Sequence, residues 1–129
     1  MGMWFTDATI AFVKEILADL EELDNENAKI EQKILNYGRR LKQFSTFRSV
    51  TVENSPDESF YKNVYVGIEP DEVMPKPVLL DEAIEILTKK VDELREQLEL
   101  GKQQEKLKTE LFNKLTKDYY PGILDEILN

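Results

Sequence analysis

Ten positions in the first third of the chain fall on an unbroken ladder of alternating three- and four-residue steps: Val13, Ile16, Leu20, Leu23, Asn27, Ile30, Ile34, Tyr37, Leu41 and Phe44. All but Asn27 are apolar. Such steps average about 3.5 residues, the heptad period at which two helices keep an apolar seam facing each other. A shorter ladder follows at Ile84, Leu87, Val91, Leu94 and Leu98. Two ladders separated by strand and turn signals predict a mainly α chain with a small β element. The expected form is an antiparallel coiled-coil helical hairpin with a β-hairpin at its bend, in a single domain over 1–129.

Local signals set the expected boundaries. Thr6 suits an N-cap, and Asp7 complements the positive end of the helix dipole. The first helix is expected over 7–45, with Gly38, which costs about 1 kcal/mol against Ala, marking a bend, a close approach or, near the helix end, early fraying. Residues 47–53 (FRSVTVE) then change period. Val50 and Val52 alternate with Ser49 and Thr51, as in a strand of β-branched residues. Residues 54–59 (NSPDES) read as a loop. Residues 60–68 (FYKNVYVGI) read as the second strand, with Val64, Val66 and Ile68 on one face. The three prolines of residues 69–77 (EPDEVMPKP) argue against a central strand there, although Val73 and Met74 could form an edge. The β-hairpin and proline-rich connection together cover 47–78.

The second helix is expected over 80–118, opened by Asp81 and Glu82. Its ladder falters after Leu98. One register continues through Gly101, Glu105, Lys108, Phe112 and Leu115, and a competing one uses Leu100, Gln104, Leu107 and Leu111. A stutter or loosened stretch is expected over 101–106. Pro121 and Gly122 end the helix, and residues 122–129 (GILDEILN) form a short terminal one.

Composition narrows the chemistry. The chain has no His and no Cys. This removes the commonest general base, thiol nucleophiles, thiolate metal sites and disulfides. Carboxylate pairs such as Glu21–Glu22 and Asp81–Glu82 occupy adjacent helix positions and point to different faces. Neither acidic loop has the ligand spacing of a calcium loop. An enzyme, a cofactor and a metal site are therefore not expected. A net charge of −9 argues against nucleic acid as the partner, and Arg39, Arg40 and Lys42 read as a solvated helix face. No run reaches the roughly 18 apolar residues of a membrane span. Residues 1–5 are too short for a signal-peptide core. The expected location is cytoplasmic.

A lone hairpin and a two-helix seam are each marginal in isolation, so an oligomer is expected. Val50, Val52, Val64, Val66 and Ile68 would pair with strands of other subunits. Asn27 has two readings: a buried polar residue that fixes register and partner, or a partly hydrated surface Asn. The chain ends would come together in an antiparallel hairpin. Trp4 and Phe5 would then meet Tyr119, Tyr120, Ile123, Leu124, Ile127 and Leu128. That cluster is either a mutual cap or a surface that binds apolar segments.

The order helix, β element, helix of equal length resembles prefoldin, the hexameric co-chaperone whose subunits join through β-hairpins and extend coiled-coil tentacles. The run Phe60-Tyr61-Lys62-Asn63-Val64-Tyr65-Val66 looks like the second hairpin strand of its β-type subunits. Residues 86–115 (ILTKKVDELREQLELGKQQEKLKTELFNKL) resemble their second helix. The proline-rich stretch is longer than a β-type subunit needs and has room for a second hairpin, as in α-type subunits. The resemblance implies an ATP-independent chaperone subunit that captures non-native protein at its tips. The alternative is a structural or adaptor coiled coil whose ends are fixed interfaces, and a rod segment of a filamentous or viral assembly is a third reading.

Overall fold

The computed structural model describes residues 5–54, 64–69 and 76–128. They form α1 (Asp7–Asn54), β1 (Tyr65–Gly67), β2 (Pro77–Leu79), α2 (Leu80–Lys114), a π-helical turn (Leu115–Tyr119) and α3 (Ile123–Leu128). The protein is mainly helical with a small antiparallel two-stranded sheet. Contacts group it into two compact units, Met1–Lys29 with Leu98–Asn129, and Ile30–Gln97. Both long helices contribute to each.

The start of α1 follows the capping expectation. Thr6 Oγ1 accepts from the Thr9 amide at 3.1 Å, satisfying one of the orphan donors of the first turn. Its far end does not. Residues 47–53 are helical rather than a strand, so Val50 and Val52 are exposed helix residues. The ladder in fact continues past Phe44 through Arg48 to Thr51, disguised by polar side chains. Thr51 is buried and its hydroxyl donates to Phe47 O at 2.7 Å, while the Ser49 hydroxyl donates to Ser45 O at 3.0 Å. These bonds to the preceding turn remove the hydroxyls as competitors of the helix. Extending a formed helix is also easier than nucleating a strand. Gly38 accordingly lies mid-helix and marks no fraying.

The sheet pairs β1 with β2, a strand from the proline-rich connection. Tyr65 lies opposite Leu79, Val66 opposite Val78 and Gly67 opposite Pro77. The expected strand over 60–68 is thus present over Tyr65–Gly67, but its partner is not 47–53. Residues 60–63, and Val73 and Met74, lie outside the described residues. Register explains why Pro77 is tolerated. The Leu80 amide donates to Val64 O at 2.9 Å, so hydrogen-bonded pairs recur at 64/80 and 66/78. Pro77 then sits at a non-hydrogen-bonded pair, where its missing N–H costs no ladder bond.

In the unit Ile30–Gln97, Phe44, Leu80, Ala83 and Leu87 form a buried cluster. Tyr37, Leu41, Val64, Val66, Ile68, Val78 and Ile84 pack around it. The sheet therefore packs Val64, Val66, Ile68 and Val78 against its own chain's helices. Arg48 Nε lies 2.7 Å from Asp81 Oδ1, and three turns earlier on α1 the Tyr37 ring meets Lys90, later on α2, so the two helices run antiparallel here.

In the other unit, Val13, Ile16, Leu115 and Ile123 are buried. α2 passes through 101–106 without a break. Its C-terminal end widens into the π turn, where the Tyr120 amide donates to Leu115 O at 2.7 Å. Buried Thr116 donates to Phe112 O at 2.9 Å. Pro121 drives the preceding Tyr120 out of the helical region, to φ −131° and ψ 63°. Gly122 then turns the chain at φ +90°, a conformation in which a side chain is strained.

Candidate functional site

Asn27 occupies a seam position of α1 and is only 5% exposed. Its Nδ2 donates to Glu105 Oε2 at 2.9 Å. Its Oδ1 rests against Gly101, where an added Cβ would overlap it and come within 3.1 Å of its Cγ. Two turns away, Lys108 Nζ donates to Asp19 Oδ2 at 2.7 Å. The faltering of the second ladder is therefore complementary to the first. Small Gly101 faces the Asn, and Glu105 and Lys108 meet polar partners on α1. Asn27 is thus buried in the seam, facing a Gly and a Glu of α2 at one level.

A second polar set ties β1 to both helices in the unit Ile30–Gln97. The Tyr37 hydroxyl donates to Glu69 Oε2 at 2.7 Å, and Lys90 Nζ donates to Glu69 Oε1. The Lys90 ammonium lies 5.0 Å from the Tyr37 ring centroid. The Lys90 and Tyr37 hydrogen bonds hold the Glu69 carboxyl below its ordinary pKa. The bond to Glu69 raises Lys90, and the same partner together with burial raises Tyr37. Each shift favours the state found at neutral pH, so these groups form a clamp rather than an acid–base pair poised for proton transfer. Arg40 completes it, donating from Nε and Nη2 to Gly67 O at 3.2 and 3.0 Å while stacking over Phe44 at 4.7 Å.

At the chain ends, the Phe5 and Tyr120 rings meet edge-on, 6.2 Å apart at 85°. Ile123 is fully buried, Leu124 and Ile127 are half-buried, and Tyr119 and Leu128 are 62% and 73% exposed. The proposed cluster is thus part anchor and part open surface. Trp4 lies outside the described residues. Among the strand residues, Val64, Val66 and Ile68 are half-buried against their own core, whereas Val50 and Val52 belong to the outer surface of α1.

The sequence pattern assigns no partner to one further apolar feature. Leu100, Leu107 and Leu111 are exposed on a single face of α2. They are the competing register, whose heptad spacing was visible but had no partner. Leu107 helps line an open groove of about 620 Å³ with Leu23, Asp19, Glu22, Glu26, Gln104 and Lys108. Among the described residues, no group of three Asp or Glu side chains is placed to hold a metal ion, and no helix is long and apolar enough to cross a membrane. The chain matches no family model, and neither a curated protein nor a solved structure is significantly similar to it.

Proposed function

We propose that this chain is a prefoldin-like subunit of an ATP-independent cytoplasmic chaperone. In this reading it is a coiled-coil helical hairpin with its β element at the bend, and it captures non-native protein at the apolar surface of its chain ends. The observation that carries the reading is the exposure of Tyr119 and Leu128 around the buried anchor Ile123. Apolar surface left in water at the end of a strongly acidic chain can take up exposed segments of unfolded protein. Each contact is weak, and several subunits acting on one client supply avidity. The surrounding negative charge keeps a loaded complex soluble.

The test is suppression of aggregation of several unrelated unfolded proteins without nucleotide. Tyr119→Ser with Leu128→Ser should weaken suppression and leave helical content unchanged, since both side chains are exposed. Unimpaired suppression would refute the placement of the site. The edge-on contact of Phe5 with Tyr120 favours the adaptor reading, in which a preformed end binds one partner. That reading gains if no unrelated client is protected.

A further inference from the structure

The charge of this chain is not evenly spread. Residues 36–52 carry Arg39, Arg40, Lys42 and Arg48 and no acidic side chain, within a protein of net charge −9. Arg40 is held by Gly67 O and Arg48 by Asp81, which leaves Arg39 and Lys42 facing outward. They border an exposed patch with Gln43, Thr46 and Phe47. Phe47 is 44% exposed, and Val50, one turn on, is exposed beside it. This face is basic and apolar. The groove lined by Leu23 and Leu107 has the opposite sign. Its Asp19 is neutralised by Lys108, while Glu22 and Glu26 are exposed carboxylates one turn apart on its rim. Leu107 is 66% exposed, and Leu100 and Leu111 extend the apolar strip along α2.

We propose that the occupant of this acidic groove is the basic face of a second copy of the chain, with Phe47 on the Leu23–Leu107 floor and Arg39 and Lys42 against Glu22 and Glu26. Each face satisfies what the other lacks. The groove needs apolar cover flanked by cations, and residues 39–50 are a helix surface of that composition. The contact joins two different patches, so it is heterologous. It builds head-to-tail chains or closed rings rather than stopping at a two-fold dimer. A patch of this size is smaller than a permanent interface, and its ion pairs lie at a solvent-accessible rim. Association is therefore weak, concentration-dependent and weakened by salt. It uses neither the two-stranded sheet nor the chain ends, so it stands or falls independently of client capture.

Sedimentation velocity of the whole chain at low salt tests this. The weight-average mass should rise with concentration to about twice the single-chain value of 15.1 kDa or beyond. Glu22→Lys with Glu26→Lys should hold it at the monomer value, as should Arg39→Glu with Lys42→Glu, because each places like charges face to face. All four changes in one chain restore complementarity with the signs exchanged, and association should return. Circular dichroism verifies that each variant is folded. A measurement on the unaltered protein guards against variants that misfold. Carbodiimide cross-linking of a mixture of isotopically light and heavy chains should join Lys42 to Glu22 or Glu26 in mixed-label peptides. Association that survives either single reversal, a folded four-fold variant that stays monomeric, or an absence of mixed-label cross-links would overturn the proposal.

Discussion

Substitution of Gly101 by Ala should destabilise this protein, although the same change normally strengthens a helix. In a helix interior, Gly→Ala contributes about 1 kcal/mol of stability. At Gly101 the new methyl overlaps Asn27 Oδ1. Asn27 is buried and cannot swing freely, so the methyl must displace it and break the bond to Glu105. A hydrogen bond to a charged group is worth about 1.5–3 kcal/mol, and the displaced amide also loses its place in the seam. The net expectation is a loss of about 1–2 kcal/mol in urea-induced unfolding. Two controls isolate the cause. Gly38 has no atom within 4 Å of an added Cβ, so Gly38→Ala should stabilise by about 0.5–1 kcal/mol. In an Asn27→Ala background the obstacle is gone, and Gly101→Ala should become stabilising by about 1 kcal/mol. The double-mutant cycle should give a coupling of about 2–3 kcal/mol. If Gly101→Ala stabilises equally in both backgrounds, Asn27 does not lie over Gly101 and the register argument fails.

Other expectations follow from the unit Ile30–Gln97. Leu87→Ala removes a fully buried side chain and should cost about 2–4 kcal/mol by chemical denaturation; a change below about 1 kcal/mol would show that the core is not packed there. Val50→Ala should be neutral or stabilising by up to about 0.5 kcal/mol, because Val50 is an exposed helix residue; a clear loss of stability would restore the strand assignment. The Glu69 carboxyl has a folded pKa below its ordinary 4.5, so its contribution is present above pH 4.5 and is lost as pH falls through the lowered value. The stability difference between the protein and its Glu69→Gln variant, followed by thermal melts, should therefore shrink below pH 4.5; a difference independent of pH would show that the clamp does not form.

The helical skeleton was legible because apolar spacing and end signals agree. Thr6 capped α1, α2 opened at Leu80, and Pro121 with Gly122 separated off the terminal helix. Elsewhere tertiary partners outrank local propensity. Residues 47–53 alternate β-branched and hydroxyl side chains, but Phe44 and Thr51 continue the buried seam, and the hydroxyls bond back along the helix. Pro77 argued against a strand, yet the register places it where no amide is needed, which sequence alone does not specify. At the candidate sites, Asn27 was visible as an anomaly. Its match to Gly101 and Glu105 depended on aligning two ladders whose register each sequence run leaves open. The Glu69 clamp left no periodic trace, because it joins residues from two helices and a strand end. The chain-end residues were identifiable as an apolar excess, but the division into a buried Ile123 and an exposed Tyr119 and Leu128 required the π turn and the reversal at Gly122.

In the proposed function, the chain ends receive apolar segments of unfolded protein. Amide chemical-shift mapping of the labelled chain, titrated with a permanently unfolded client, tests it most directly. Shifts should concentrate at Phe5, Tyr119, Tyr120, Leu124, Ile127 and Leu128 and leave Asn27, Gly101 and Leu87 unmoved. A spectrum unchanged by several unrelated clients, or shifts confined to residues away from the chain ends, would contradict the account.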